Sequence, residues 1–280
     1  MGRRREPRPR QRTYLLSRSI ICFVLTGSIG SLLLWTPPGP LSYLVDIGLR
    51  SYLVFLGTVM AHEGVHGHLG RTKRANFWWG RIALIPALVP FTSFRKTHHL
   101  HHAHTNEPGL DPDHFMKPRH PIEIPLRAVA MPHQWHFWLR RRGLADYRHV
   151  RDLALNYLGI ACVWVGLLLV VGPWRLLSGM FPVLVIVSIV LWYPFALKTH
   201  EGFSTGSSGS RSHDYYGHVM YWLSLGLSMH RVHHENPSLS WQELRTFVRP
   251  APERGWRGLI PHRDIRLDVE SGSGSARASA

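Results

Sequence analysis

The order of apolar and polar positions divides the chain into long uncharged runs separated by basic, histidine-rich connections. Four runs approach the ~20 apolar residues that a bilayer-spanning helix requires. They are Tyr14–Trp35, Leu41–Ala61, Leu153–Val171 and Phe181–Thr199. The second contains Asp46 and Arg50, one helical turn apart, a spacing that lets them pair with each other. A fifth run, Phe77–Phe94, holds Trp78, Trp79, Pro86 and Pro90 and reads as interfacial or re-entrant rather than spanning. The pattern predicts an all-α integral membrane protein of about four transmembrane helices, with the polar connections forming a helical cap.

Charge orients that arrangement. The connection after the first run, Thr36 to Pro40, carries no charge, and the one after the third, Gly172 to Met180, carries a single arginine. All others are rich in Arg, Lys and His, and seven arginines precede or enter the first run. Positive-inside reasoning places both termini, the 61–152 region and everything after Thr199 in the cytoplasm. The formal net charge of +16 is thus accounted for by membrane orientation. It comes without the interleaved aromatic and basic residues or recognition motif of a nucleic-acid binder. The first run is too long for a signal peptide core and lacks a small-residue cleavage site, so it reads as a retained anchor. The expected organisation is an Arg-rich cytoplasmic tail at 1–13, a membrane domain at 14–268, and a disordered Ser/Gly tail at 269–280. Cys22 and Cys162, both inside apolar runs, read as small buried residues.

The candidate chemistry lies in three histidine clusters. They are His62-Glu63-Gly64-Val65-His66, His98-His99-Leu100-His101-His102 and His230-Arg231-Val232-His233-His234. Residues three and four apart share a helix face, so each cluster aims its imidazoles one way. An even number of spans separates any two clusters, so all three fall on one side of the membrane. Neutral imidazole suits iron, copper, zinc and nickel, and the expected role is metal ligation. The first cluster also spells H-E-x-x-H, a zincin metalloprotease word in which Glu63 would be the general base. A catalytic zinc takes only three protein ligands, and the other clusters then have no role. Two metals are the economical reading, with Glu63 expected to hold the second N–H of a ligand. His200, at the end of the fourth run, is a ninth candidate, and His68 is an alternative to His66. His99 and His104 fall off the shared face. His114, His120, His133, His136, His149, His213, His218 and His262 fit no ligand spacing and read as polar surface.

At these clusters the chain resembles the membrane fatty acid desaturase and hydroxylase superfamily. That pattern, H-x3,4-H, H-x2,3-H-H and H-x2,3-H-H on the cytoplasmic side of four spans, is met by His62, His66, His98, His101, His102, His230, His233 and His234. The family's frequent ninth ligand after the fourth span falls at His200. Local words are similar to acyl desaturases (Thr105-Asn106; Ser210-Arg211-Ser212; Tyr215-Tyr216-Gly217). Asp111-Pro112-Asp113 and Pro237-x3-Trp241 are also similar to words of carotenoid ketolases. The resemblance, which covers roughly Val45 to Val248, implies two iron ions, dioxygen as co-substrate and a lipid or carotenoid substrate. It also implies two electrons per turnover from a ferredoxin or cytochrome b5-type donor, since the chain has no haem, flavin or nicotinamide motif. The implied reaction is acyl-chain desaturation, with carotenoid ketolation or lipid hydroxylation as the alternative. A histidine-rich metal binder or transporter is a more distant one. No side chain need act as a classical acid or base, because the metals carry the chemistry.

Overall fold

The computed structural model describes residues 11–203, 211–248 and 262–263. Four helices are long and apolar enough to cross a membrane: α1 (Gln11–Leu34), α2 (Pro40–Val65), α6 (Tyr147–Val171) and α7 (Pro173–Lys198). Between and after them run shorter helices. These are α3 (Lys73–Ala83), α4 (Phe91–His104), α5 (Ile124–Arg141), α8 (His218–Ser224), α9 (His230–Glu235) and α10 (Trp241–Leu244). Among the described residues the fold is all-helical apart from one antiparallel pairing of two-residue strands, Tyr215–Tyr216 with His262–Arg263. The predicted 77–94 run is two helices, α3 and α4, joined by a turn through Pro86 and Pro90. Proline at 90 starts α4, as expected of a residue that cannot continue a helix but can precede one. The first span begins at Gln11, three residues before the expected boundary; residues 1–10 and 264–280, including the expected tails, lie outside the described residues.

The second span is the most enclosed. In its most apolar stretch 61% of residues are buried, against 17–28% in the other three. That explains how it tolerates Asp46 and Arg50. The Arg50 guanidinium pairs with Asp46 and also donates to Ser31 Oγ at 3.1 Å and to the Gly179 carbonyl at 2.7 Å. A charged group inside a bundle is kept only when such partners satisfy it. Close approach demands glycine here, because a Cβ on Gly179 would stand 2.9 Å from Arg50 Nη1 and 2.5 Å from Leu32. Gly57 plays the same part between α2 and α3, where a Cβ would meet the Ala83 carbonyl oxygen at 2.8 Å.

Cys22 and Cys162 are exposed on the outer faces of α1 and α6, contrary to expectation. A spanning helix is apolar on every side, so apolar sequence neighbours do not mark its buried face. The fourth span departs from α geometry over Ile186–Trp192, a π segment. Such segments occur often at functional sites. This one turns Val187 and Trp192 toward the interior beside α5.

Candidate metal centre

Four structural elements bring imidazoles to one end of the bundle. His62 and His66 sit on the last turn and C-cap of α2, and His98, His101 and His102 on the second half of α4. His200 follows α7 by two residues, and His230, His233 and His234 lie on α9. The nine candidates fall into two groups. His62, His66, His98, His102 and His233 form one, and His101, His200, His230 and His234 the other. Within each group the ligand-capable atoms lie within 4.8 Å of one another. Helix geometry explains the division. At 100° per residue, positions i and i+4 differ by 40°, while i+3 swings 60° the other way. So His98 and His102 share a group while His101 turns to the second, and His230 and His234 share a group while His233 turns to the first.

The contacts run Nε2 to Nε2. In the five-histidine group they are His98–His66 3.1 Å, His102–His98 3.0 Å and His233–His102 3.2 Å. In the four-histidine group they are His101–His200 3.1 Å, His230–His200 3.0 Å and His234–His230 3.2 Å. These separations match neighbouring corners of a shell with metal–nitrogen bonds of about 2.1 Å. Hydrogen counting points the same way. His101 Nδ1 lies 3.0 Å from Asp111 Oδ1, and His200 Nδ1 3.0 Å from the Arg211 carbonyl oxygen, so both Nδ1 atoms donate. Their Nε2 atoms then face each other, an arrangement that a cation or a shared proton between them satisfies. His62 Nε2 is buried with no hydrogen-bond partner. The donor set therefore fits metal ions that accept imidazole.

Burial sets the charge state. Desolvation, reinforced by neighbouring imidazoles, pushes His66, His98, His230, His233 and His234 far below the ordinary imidazole range, His102 to about 2 and His200 to about 3. They are neutral, the form that ligates. His101 is the exception. Burial opposes its charge, but Asp111 and Asp113 lift it to about 9, so this corner of the site attracts positive charge.

Residues around the imidazoles fix their direction. Asp111 also accepts the Asn106 and Asp113 backbone N–H groups, and Asn106 Nδ2 donates to the His200 carbonyl at 2.8 Å. Asp214, buried, accepts the N–H groups of Arg231 at 2.8 Å and Val232 at 3.3 Å and so holds the start of α9. The D-P-D word of the sequence contained the signal for Asp111. Nothing in the sequence marked Asp214, which lies sixteen residues before the cluster it supports and reaches it only through the fold.

Several expectations need correction. Glu63 holds no ligand. Its Oε2 accepts the Nδ1–H of His68 at 2.9 Å and the backbone N–H of Trp241 at 3.0 Å. It projects 100° around the helix from His62, away from the imidazole groups. His68 lies outside both groups, with Nε2 3.0 Å from the Ser238 carbonyl oxygen. Both its nitrogens face acceptors, so both carry hydrogens; burial opposes that charge, and Glu63 raises the His68 pKa in spite of it. His149 and His213 are buried rather than on the surface, with Nε2 contacts to Ser93 Oγ at 3.4 Å and the Glu201 carbonyl at 2.6 Å. His99 is exposed and His104 pairs with Glu107.

A pocket opens beside the imidazoles, lined by His62, His98, His101, His200 and His230 on one side and by Phe94, Trp135, Trp192 and Phe195 on the other. A second, apolar pocket lies between α2, α5 and α7. Phe94, Trp135 and Trp192 line both. Phe94 stacks on Trp135 with ring centroids 5.2 Å apart and meets Trp192 edge-on at 6.5 Å, so these three aromatic rings stand between the two pockets.

The sequence is similar to known lipid-modifying enzymes. It is 26% identical over 134 residues to the sn-1 oleoyl-lipid 12-desaturase of Synechocystis sp., covering 41% of this chain and 38% of that one. It is 37% identical over 76 residues to the omega-3 fatty acid desaturase fat-1 of Caenorhabditis elegans, 24% and 18% of the two chains. To the sn-1 acyl-lipid omega-3 desaturase (ferredoxin) of Synechocystis sp. it is 36% identical over 53 residues, 19% and 15%. These matches span between 15% and 38% of the relatives' own lengths. The family model "Fatty acid desaturase" matches residues 34–258, which contain all nine convergent histidines and all but the first of the four long helices. This membrane protein belongs to the fatty acid desaturase family.

Proposed function

We propose that the chain is a di-iron, O2-dependent desaturase that introduces a double bond into a lipid acyl chain. The two imidazole groups beside apolar pockets carry this reading. His62, His66, His98, His102 and His233 would hold one iron, and His101, His200, His230 and His234 the other. Iron bound there supplies dioxygen activation and removal of hydrogen from an unactivated C–H bond, with two electrons per turnover from outside.

The protein's own part is placement. Asp111 and the Arg211 carbonyl fix the rings of His101 and His200. Phe94, Trp135 and Trp192 bring apolar surface to within a ring's width of the imidazoles; Phe94 lies 5.4 Å from His98, centroid to centroid. An alkyl chain threaded past them leaves water, which favours binding through apolar burial and excludes water from the reacting carbon. The apolar lining of the two pockets suits a lipid chain. The relatives named above act on acyl lipids and fatty acids, which favours this reading over carotenoid ketolation. The basic connections, by the positive-inside rule, favour a cytoplasmic site on a bacterial plasma membrane, where they would steer an acidic donor of the ferredoxin or cytochrome b5 type.

The test is product analysis by mass spectrometry in a bacterial host supplied with fatty acids and carotenes. The reading predicts new unsaturated acyl chains that vanish with His101→Ala. Oxygenated carotenoids would support the ketolase alternative, and unchanged lipids with altered metal content a metal binder.

A further inference from the structure

The glutamate of H-E-x-x-H and the histidine two residues after that word have no part in the mechanism above, yet both are almost fully buried, at 2% and 1% exposure. We infer that Glu63 and His68 form a clasp that positions the third histidine cluster against the first, so that Glu63 is a positioning residue rather than a general base or ligand.

The geometry is specific. The Glu63 carboxylate receives the His68 Nδ1–H and the Trp241 N–H, and the His68 Nε2–H reaches the Ser238 carbonyl. Ser238 and Trp241 belong to the segment that begins three residues after α9 ends. The clasp thus ties the last turn of α2, which carries His62 and His66, to chain some 170 residues away that immediately follows His230, His233 and His234. Trp241 is held from its other sides too. Its indole Nε1–H donates to Ser17 Oγ on α1 at 3.2 Å, and its carbonyl accepts the Tyr221 hydroxyl at 2.6 Å.

The need for a clasp follows from α9 itself. It has six residues, far below the length at which a helix holds its shape unaided, yet it supplies one imidazole to the five-histidine group and two to the other. Asp214 fixes its start, and the clasp fixes the chain that leaves it. A general base must reach the reacting volume. Glu63 does not line the cavity beside the imidazoles, whereas His62, its neighbour, does.

The inference rests on the two-metal reading, and the experiment separates the two. Full-length wild type, Glu63→Gln, Glu63→Ala, His68→Ala and the Glu63→Ala/His68→Ala double variant are purified in detergent. Iron per chain during chelator challenge, thermal stability after iron removal, and desaturation are then measured. Glu63→Gln keeps an oxygen for the Trp241 N–H and should retain iron and turnover within about threefold. Glu63→Ala and His68→Ala should each lose iron about tenfold faster than wild type, a loss typical of removing an outer partner of a metal site. The double variant should be no worse than either, because one unit has been broken twice. Full iron content with activity lost in Glu63→Gln would make Glu63 a base and overturn the clasp. So would normal iron retention in Glu63→Ala, or additive losses in the double variant. If the wild type lacks both iron and activity, the two-metal reading fails, and iron-free thermal stability still reports whether the single and double variants are equivalent.

Discussion

His101 shows most clearly how single side chains set the chemistry. It is the one member of its cluster that turns to the four-histidine group, and among the nine convergent imidazoles it is the one whose charge the surroundings favour, through Asp111 and Asp113. Asp111→Asn keeps the shape but removes the negative charge behind the ring, and iron affinity should fall by about 10–100-fold, read from chelator competition. Unchanged affinity would mean that Asp111 does not support a ligand. His101→Ala should abolish desaturation while the protein still inserts in membranes; full activity would remove it from the ligand set. His200→Ala should weaken iron loading, and normal iron content and turnover would show the ninth assignment to be wrong. That these nine imidazoles stand together was expected from i, i+3, i+4 spacing and, for His200, from its place after the fourth run and from the family resemblance. Their sorting into five and four, and the roles of Glu63, His68 and Asp214, were not. Those depend on which way a side chain points across a contact between distant segments, and spacing along one helix does not encode that.

Among the helices, α2 and α7 carry the most information. The second run, weakest as a span on composition, is the innermost of the four, because Asp46 and Arg50 are turned into the bundle and satisfied by Ser31 and Gly179. Asp46→Asn should lower thermal stability by roughly 1–3 kcal/mol, since the guanidinium keeps two other acceptors but loses its counter-charge. An unchanged melting temperature would show that the pair contributes nothing. In α7 the π segment ends at Trp192, one of the three rings that stand between the two pockets. Trp192→Ala removes one of these rings and should shift the position of the new double bond or the preferred chain length, with iron content unchanged. Identical product positions, determined by mass spectrometry of derivatised fatty acids, would refute a role for Trp192 in placing the chain. In the run Phe181–Thr199 only Pro182 and Pro194 mark irregular backbone, and neither encodes the π geometry of Ile186–Trp192 or the place of Trp192 between the pockets. The lipid-facing cysteines were misplaced for the same reason: in a spanning helix hydropathy locates the bilayer but not the protein interior.

The bundle taken together is a device for bringing three remote clusters and one helix end to a common place. Alternating basic and uncharged connections foretold four spans with every cluster on one side, and the four long helices and the convergent imidazoles agree with that layout. The zincin word in the first cluster was the strongest competing signal, and the fold answers it by burying Glu63 in a contact with His68 and Trp241, away from the cavity. What the bundle encloses should be a dinuclear site, and counting metals is the most direct examination of it. Protein purified in detergent from an iron-supplied host should carry about two irons per chain, each bound through imidazole. His101→Ala and His62→Ala should each deplete that content. A single zinc per chain, or iron content unaffected by either substitution, would contradict the dinuclear site and the oxygen chemistry built on it.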